Sequence, residues 1–226
     1  MVAGERLVAN DGKEVMLFPL PYMYISQGEY ESFSHAGILA IDFLGWDSNG
    51  RVYQAPLYAP CSCRCVAEID SYNKGRIFQS LDMVHTPLGL MYVNFMWFHD
   101  DNPIASVGDT FTQGDLIGHT GTAGPGVTGD HTHFNTANGQ YRGWEHVPPD
   151  NHGQLVDSKH IYDICYVNDT VLVHDYNYNW REYSGGHTPT ERIRGKFPWV
   201  LYARKLRNKR YWLFVSFILY YCKRRI

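Results

Sequence analysis

The sequence lacks an apolar run long enough to cross a bilayer as a helix. Its most compact one, Tyr211–Cys222, has 12 residues, against the roughly 20 that a spanning helix needs. A secretory signal is also missing. Met1-Val2-Ala3-Gly4-Glu5-Arg6-Leu7 has no apolar segment and no small-residue cleavage site. The expectation is a protein made in the cytoplasm without a signal peptide. No internal repeat, low-complexity tract or amphipathic helical pattern is found before residue 155. The spacing of structural zinc knuckles is absent too, since Cys61, Cys63 and Cys65 alternate without two-residue gaps. On a strand the three share one face. They read as small core residues in a reducing cell rather than as a thiolate metal site.

Charged residues make up only 19% of the chain and hydrophobic residues 44%. That balance excludes long disorder and is enough for a core. The 17 Tyr, 21 Gly and 11 Pro favour strands and tight turns over a helical bundle. A length of 226 residues allows one domain with an appendage, or one larger all-β domain. The net charge of −3 hides an asymmetry: residues 191–226 carry +10 and the first 190 carry −13. The expected organisation is a domain over 1–150, an extension and linker over 151–190, and a basic aromatic tail over 191–226.

Short strand candidates recur along the first part: Ile38–Leu44, Val52–Tyr58, Cys61–Ile69, Arg76–Gln79, Leu90–Phe98, Thr110–Phe111, Leu116–Gly118 and His131–Thr136. The prolines in Val15–Ile25 make that stretch extended. Turns such as Asp47-Ser48-Asn49-Gly50 separate the strands, so the expected class is mainly β, a barrel or sandwich. Pro148–Gly153 reads as a boundary and Ser184–Thr190 as a linker. Asp157–Tyr166 reads as a short helix capped by Asp157 or Ser158.

Three segments carry residues suited to chemistry. In Gly129-Asp130-His131-Thr132-His133-Phe134, strand alternation puts His131 and His133 on one face, where two imidazoles can share a site. In Ser34–Phe43, Asp42 interrupts an apolar strand, where an unpaired carboxylate is costly and a metal partner removes the cost. A solvent-facing edge position is the other reading of Asp42. His99 ends an apolar strand at the acidic turn Asp100-Asp101.

Taken together, these segments resemble the lysostaphin-type zinc metallopeptidases, including phage wall-degrading enzymes, over roughly residues 15–145. Val107–Gly118 is similar to that family's glycine-punctuated hairpin. Gly121-Thr122-Ala123-Gly124 and Thr128-Gly129 resemble the turns leading into its His-x-His, and Ala59-Pro60 resembles another family segment. The resemblance implies a lysostaphin-like β-sheet domain with a short mixed C-terminal extension. It implies one zinc ion held by His35, Asp42 and His133, with His99 and His131 acting in catalysis. Six residues separate His35 from Asp42, where the commonest family spacing is three. Phage-type members have such a longer loop and an Ala-Ile-Asp-Phe strand. Should the loop displace His35, His85 or His119 would be the substitutes. His119 reads as a turn residue, and His146, His152, His160, His174 and His187 receive no role.

The resemblance implies an endopeptidase acting on the peptides of bacterial peptidoglycan, as a phage or prophage lysin that reaches the wall by holin-type release or within a virion. A non-catalytic module binding wall peptides is a second reading, opposed by the presence of all five site residues. A cupin-like metal β-barrel enzyme is a third. Such sites add a Glu soon after the His-x-His, whereas Phe-Asn-Thr-Ala-Asn-Gly follows His133. For the tail, the cationic flanks and aromatic ends suit an anionic membrane or wall polymer, against the plainer reading of a packed final element. No nucleic-acid motif accompanies its charge.

Overall fold

The computed structural model describes residues 1–69, 74–149, 152–167, 170–174 and 192–193. The linker Ser184–Thr190, His187 and the basic tail apart from 192–193 lie outside the described residues, as do Asp150 and Asn151 of the expected boundary.

In chain order the first strands are β1 (Tyr22–Gln27), β2 (Ala40–Phe43), β3 (Trp46–Asp47), β4 (Gly50–Arg51), β5 (Pro56–Tyr58) and β6 (Cys63–Ile69). Then come β7 (Gly75–Ser80), β8 (Val84–Thr86), β9 (Gly89–Met91), β10 (Val93–Phe98), β11 (Thr110–Phe111) and β12 (Leu116–His119). The series continues with β13 (Thr132–Asn138), β14 (Trp144–Val147), β15 (His152–Leu155), β16 (Ser158–Lys159), β17 (Thr170–His174) and β18 (Arg192–Ile193). The single helix among the described residues is α1 (Ile161–Ile164). The chain is mainly β, as its composition implies.

One sheet dominates, in the order β11-β6-β7-β10-β13-β2-β1-β17-β18, with β16 also pairing with β13. Its pairings are antiparallel except for β1 with β17. The centre, β10-β13-β2, is buried on both faces, which is why β10 reads as a continuous apolar run. Alternation divides the two faces. Val93, Phe95 and Trp97 of β10, Phe134 of β13, and Ile41 and Phe43 of β2 point into the main core. On the other face, Met96 and Phe98 of β10 and Ala137 of β13 join a second cluster with Ile77 and Leu155. That second face also carries Asp42 and His133.

Register fixes what meets there. Asp42 pairs with His133 between β2 and β13, and Phe98 pairs with His133 between β10 and β13. A slip of one residue would send His133 into the core face and Phe134 to the site.

Some boundaries differ from the sequence expectation, each for a local reason. Leu90–Phe98 is two strands: Gly89–Met91 closes a hairpin on β8, while Val93–Phe98 pairs with β7 and β13. In Val52–Tyr58 only Pro56–Tyr58 is strand, because Gln54 turns the chain at a φ of 52°. Its N–H donates to Asp130 Oδ2 at 2.9 Å. His119 ends β12 instead of lying in a turn. Cys61, Cys63 and Cys65 are buried in the main core, where burial pushes all three thiols up, Cys65 to about 11. They are thiols at neutral pH and pack as small apolar groups.

The expected helix is four residues long and is not capped by Asp157 or Ser158. His160 precedes its first turn without a side-chain cap, and Glu29 from the β1–β2 loop accepts from Ile161 N–H at 3.3 Å. Described residues beyond 150 also pack on the sheet: β16 pairs with β13, and Ile161, Ile164, Cys165 and Val167 lie in the main core. Ile164 is fully buried. Replacing it with alanine should lower stability by about 2–5 kcal/mol through lost transfer energy and a residual cavity. A urea midpoint matching that of the wild type would show that the core does not depend on this segment.

Candidate active site

His35 sits in the loop between β1 and β2, Asp42 on β2 and His133 on β13. Their ligand-type atoms converge: His35 Nε2 lies 3.1 Å from His133 Nδ1, and Asp42 Oδ1 lies 3.2 Å from each. Three lone-pair atoms at mutual distances of 3.1–3.2 Å repel unless a proton or a cation lies between them. Tetrahedral zinc with bonds of 2.0–2.1 Å separates its ligands by about 3.3 Å. The donor set and its spacing therefore fit such an ion. Among the described residues this is the one cluster of His, Cys, Asp and Glu with metal-binding geometry. His85 and His119 stay out of it: His85 Nε2 meets Asp11 Oδ2 at 2.8 Å, and His119 Nδ1 lies 3.9 Å from Asp100 Oδ2.

Asp42 is not at a sheet edge, since β2 lies between β13 and β1, and its carboxylate is nearly enclosed. Burial alone would raise its pKa. The charge and hydrogen bonds of His35 and His133 outweigh that and hold it well below the usual carboxylate range. His35 is fully buried, which would depress it, yet the Asp42 charge and the Gly28 carbonyl leave it raised. His133 is lowered, first by burial.

Each imidazole is oriented from behind. His35 Nδ1 donates to the Gly28 carbonyl at 2.8 Å, which points Nε2 at the place where Asp42 Oδ1 and His133 Nδ1 converge and leaves it free to ligate a cation there. His133 stacks on Phe98 at 5.3 Å and 13°, and Phe98 is backed by Trp144 at 5.4 Å. Its Nε2 is buried without a partner among the described residues.

His99 and His131 stand beside this cluster with rings 4.6 Å apart. His99 Nδ1 donates to the Ala123 carbonyl and His131 Nδ1 to the Gly129 carbonyl, both at 2.7 Å. Both rings thereby keep Nε2 for chemistry, and His131 Nε2 lies 3.6 Å from Asp42 Oδ2. Burial, then the neighbouring His131 and His133, lower His99 to about 4.

His99 adopts a φ of 80°, a left-handed backbone rare for a bulky residue. Its neighbours enforce it. Ala123 N–H donates to the His99 carbonyl at 3.1 Å, and a Cβ on Gly121 would stand 2.1 Å from that oxygen. Asp130, buried beside His131, accepts from Thr120 Oγ1 at 2.6 Å and from Gln54 N–H. Arg51 donates to the Asp130 carbonyl.

The residues open into a cleft of about 670 Å³ whose lining includes Asp42, His99, His131 and His133. The structure thus brings His35, Asp42, His99, His131 and His133 to one place. Arg51, Trp144 and His152, which the sequence did not single out, also line the cleft. Arg51 and Trp144 carry no local motif that separates them from other surface residues. His152 is brought in by the pairing of β15 with β14. Gly121 was named in the sequence only as part of a turn leading into the His-x-His, without a role toward His99.

A stability test follows from His99. An unfolded histidine titrates near 6.5, and folded His99 titrates at about 4. Between these values the unfolded chain binds more protons, so His99 opposes unfolding fully above about 6.5 and loses that contribution as pH falls toward 4. Urea midpoints of the metal-free protein should decline over that window, and less steeply in His99→Asn, whose side chain tolerates the left-handed backbone. Equal slopes for the two proteins would contradict the assignment.

No family model matches the sequence. The chain is 34% identical over 174 residues to "Morphogenesis protein 1" of Bacillus phage B103, covering 76% of this chain and 45% of that protein. It thus spans about half the length of this curated relative. Among solved structures, it is similar to the catalytic domain of the antimicrobial peptidase lysostaphin from Staphylococcus simulans. The TM-score is 0.38 at 19% identity, over 59% of this chain and 88% of that one. Prophage-encoded protein EnpA from Enterococcus faecalis gives 0.40 at 17%, over 56% and 91%. A zinc-containing peptidase from Vibrio cholerae gives 0.40 at 17%, over 59% and 43%.

Proposed function

We propose that this chain is a zinc-dependent endopeptidase that hydrolyses peptide bonds in bacterial peptidoglycan. The observation that carries the reading is the convergence of His35 Nε2, Asp42 Oδ1 and His133 Nδ1 at 3.1–3.2 Å, with His99 and His131 beside them in an open cleft. Two neutral imidazoles and one carboxylate suit a divalent ion of zinc's preferences and leave a fourth position for water or substrate. When bound, zinc supplies Lewis acidity, which polarises a carbonyl and acidifies water.

The protein's own groups do the rest. Burial keeps His99 neutral at pH 7, so its Nε2 can accept a proton. His131, on the same side, can act once its ring is an imidazolium with protons on both nitrogens: its Nε2 proton can then stabilise developing charge on the scissile oxygen or pass to the leaving amine. The backbone carbonyls behind both rings keep them in the tautomer that leaves Nε2 available. Phe98 and Trp144 wall the site, restrict water and support the ring of His133.

The similarity to a phage protein supports a phage or prophage setting. In this reading residues 1–150 form the catalytic domain and 151–190 an extension. The protein meets the wall after holin-type release or as part of a virion. The tail at 191–226 contacts anionic lipid or wall polymer.

Purified peptidoglycan incubated with the protein should give new peptide termini by mass spectrometry, and a zinc chelator should abolish them. Asp42→Ala and His133→Ala should lose both zinc and activity. His131→Ala should keep zinc and lose roughly 10²–10⁴-fold in rate. Intact peptides from folded, zinc-loaded protein on several wall types would support a binding module instead.

A further inference from the structure

His35 depends on a loop, residues 28–39, that holds no strand or helix of its own. Long-range contacts pin that loop at both ends, including Leu39 N–H donating to Gln154 Oε1 at 3.1 Å and the Leu39 carbonyl accepting from Asn135 at 2.9 Å. At its far end Gly37, with a φ of 82°, lies against the Pro148 carbonyl, where a Cβ would stand 2.4 Å from the oxygen. At its near end is Glu29, only 6% exposed. A carboxylate this enclosed is costly unless paired. Its Oε2 accepts from His160 Nδ1 at 2.5 Å and its Oε1 accepts from Ile161 N–H at 3.3 Å. The imidazole of His160 is held in turn by Tyr162, stacked at 4.7 Å and 17°, and by the edge of Tyr30 at 6.3 Å.

His160 directly follows β16, and β16 is paired to β13, the strand that carries His133. The residue before Glu29 is Gly28, whose carbonyl takes the His35 Nδ1 proton at 2.8 Å. A continuous path of bonded groups therefore runs from the His133 strand through β16, His160, Glu29 and Gly28 to His35. Within the loop, His35 N–H donates to the Glu31 carbonyl at 3.2 Å and Ile38 N–H to the His35 carbonyl at 3.0 Å.

We infer that Glu29 and His160 are positioning residues that clamp the β1–β2 loop, fix the Gly28 carbonyl and so preset the ring of His35 for metal. The inference rests on the reading of His35 as a ligand. It gives the longer spacing between His35 and Asp42 a physical support. A loop lengthened between two ligands is freer to move, and the clamp removes that freedom through residues beyond position 150. Outer partners of metal-binding histidines affect metal affinity by roughly 10–100-fold, and a clamp one residue removed from Gly28 acts through the same bond.

The test compares wild type, His160→Ala, His160→Gln and Glu29→Gln as full-length protein. Zinc affinity is measured by competition with a chromogenic chelator. Amide hydrogen exchange is followed at His35 and Ile38, and thermal unfolding without metal checks that each variant is folded. His160→Ala should weaken zinc binding by roughly 10-fold or more and speed exchange at both amides. His160→Gln, whose amide can still donate to Glu29, should recover most of both. Unchanged exchange in His160→Ala overturns the clamp. Faster exchange with zinc affinity within twofold of wild type overturns its reach to His35. If His160→Ala does not fold, Glu29→Gln is judged by the same two readouts. Wild-type protein that binds no zinc would sink the proposed function. The clamp would then be decided by loop exchange and by whether the imidazole nitrogen shifts of His35 still report a proton on Nδ1.

Discussion

A carboxylate enclosed in the middle of a sheet governs this molecule. Asp42 lies on β2 with strands on both sides, where an ionised group is stable only if its oxygens are matched by cationic or hydrogen-bonding partners. Imidazoles from two other segments supply that match at 3.2 Å. Because one of them, His133, is on the neighbouring strand, the β2–β13 register cannot shift without stranding the charge. The other, His35, comes from a loop, so that loop must be held too. Sheet register and loop conformation answer to the same buried oxygen atoms.

The central strands divide their labour by face. One face is a dense aromatic core in which Phe95, Trp97 and Phe134 lie within 6.4 Å of one another, ring centre to ring centre. The opposite face carries Asp42, Phe98 and His133, and the chain leaves it through His99 in a conformation that its neighbours impose. A rigid aromatic layer behind a polar site supports preorganisation: the groups are held by packing as well as by one another.

The fold class was legible from composition and turn spacing, because alternation and Gly, Asn and Pro turns act locally. His131 and His133 could be assigned to one face for the same reason, and Asp42 was conspicuous as a charge inside Ile38–Leu44. That His35 and His99 approach this pair was not readable from spacing. It came from a family resemblance, since only tertiary structure sets the distance between groups that lie 32 residues apart, as His99 and His131 do, or 98 apart, as His35 and His133 do. The strand at Val52–Tyr58 was overread because Gln54 turns left-handed to reach Asp130, a contact with no local signature. The cap of α1 was misplaced for a similar reason, as its partner, Glu29, is distant in sequence. His152 and Trp144 reach the cleft by hairpin pairing, which the polar, glycine-bearing sequence there does not announce.

The anchors behind three of the imidazoles share one property. Gly28, Ala123 and Gly129 hold His35, His99 and His131 through main-chain carbonyl oxygens. Every amino acid carries that oxygen, so substitution at these positions leaves the acceptor in place provided the backbone keeps its course. At Gly129 an added Cβ would meet nothing within 4 Å. Ring orientation is thereby insulated from much of the drift that side-chain anchors would register. Descendants of this chain can diverge around the histidines and still present the same nitrogen atoms to the cleft.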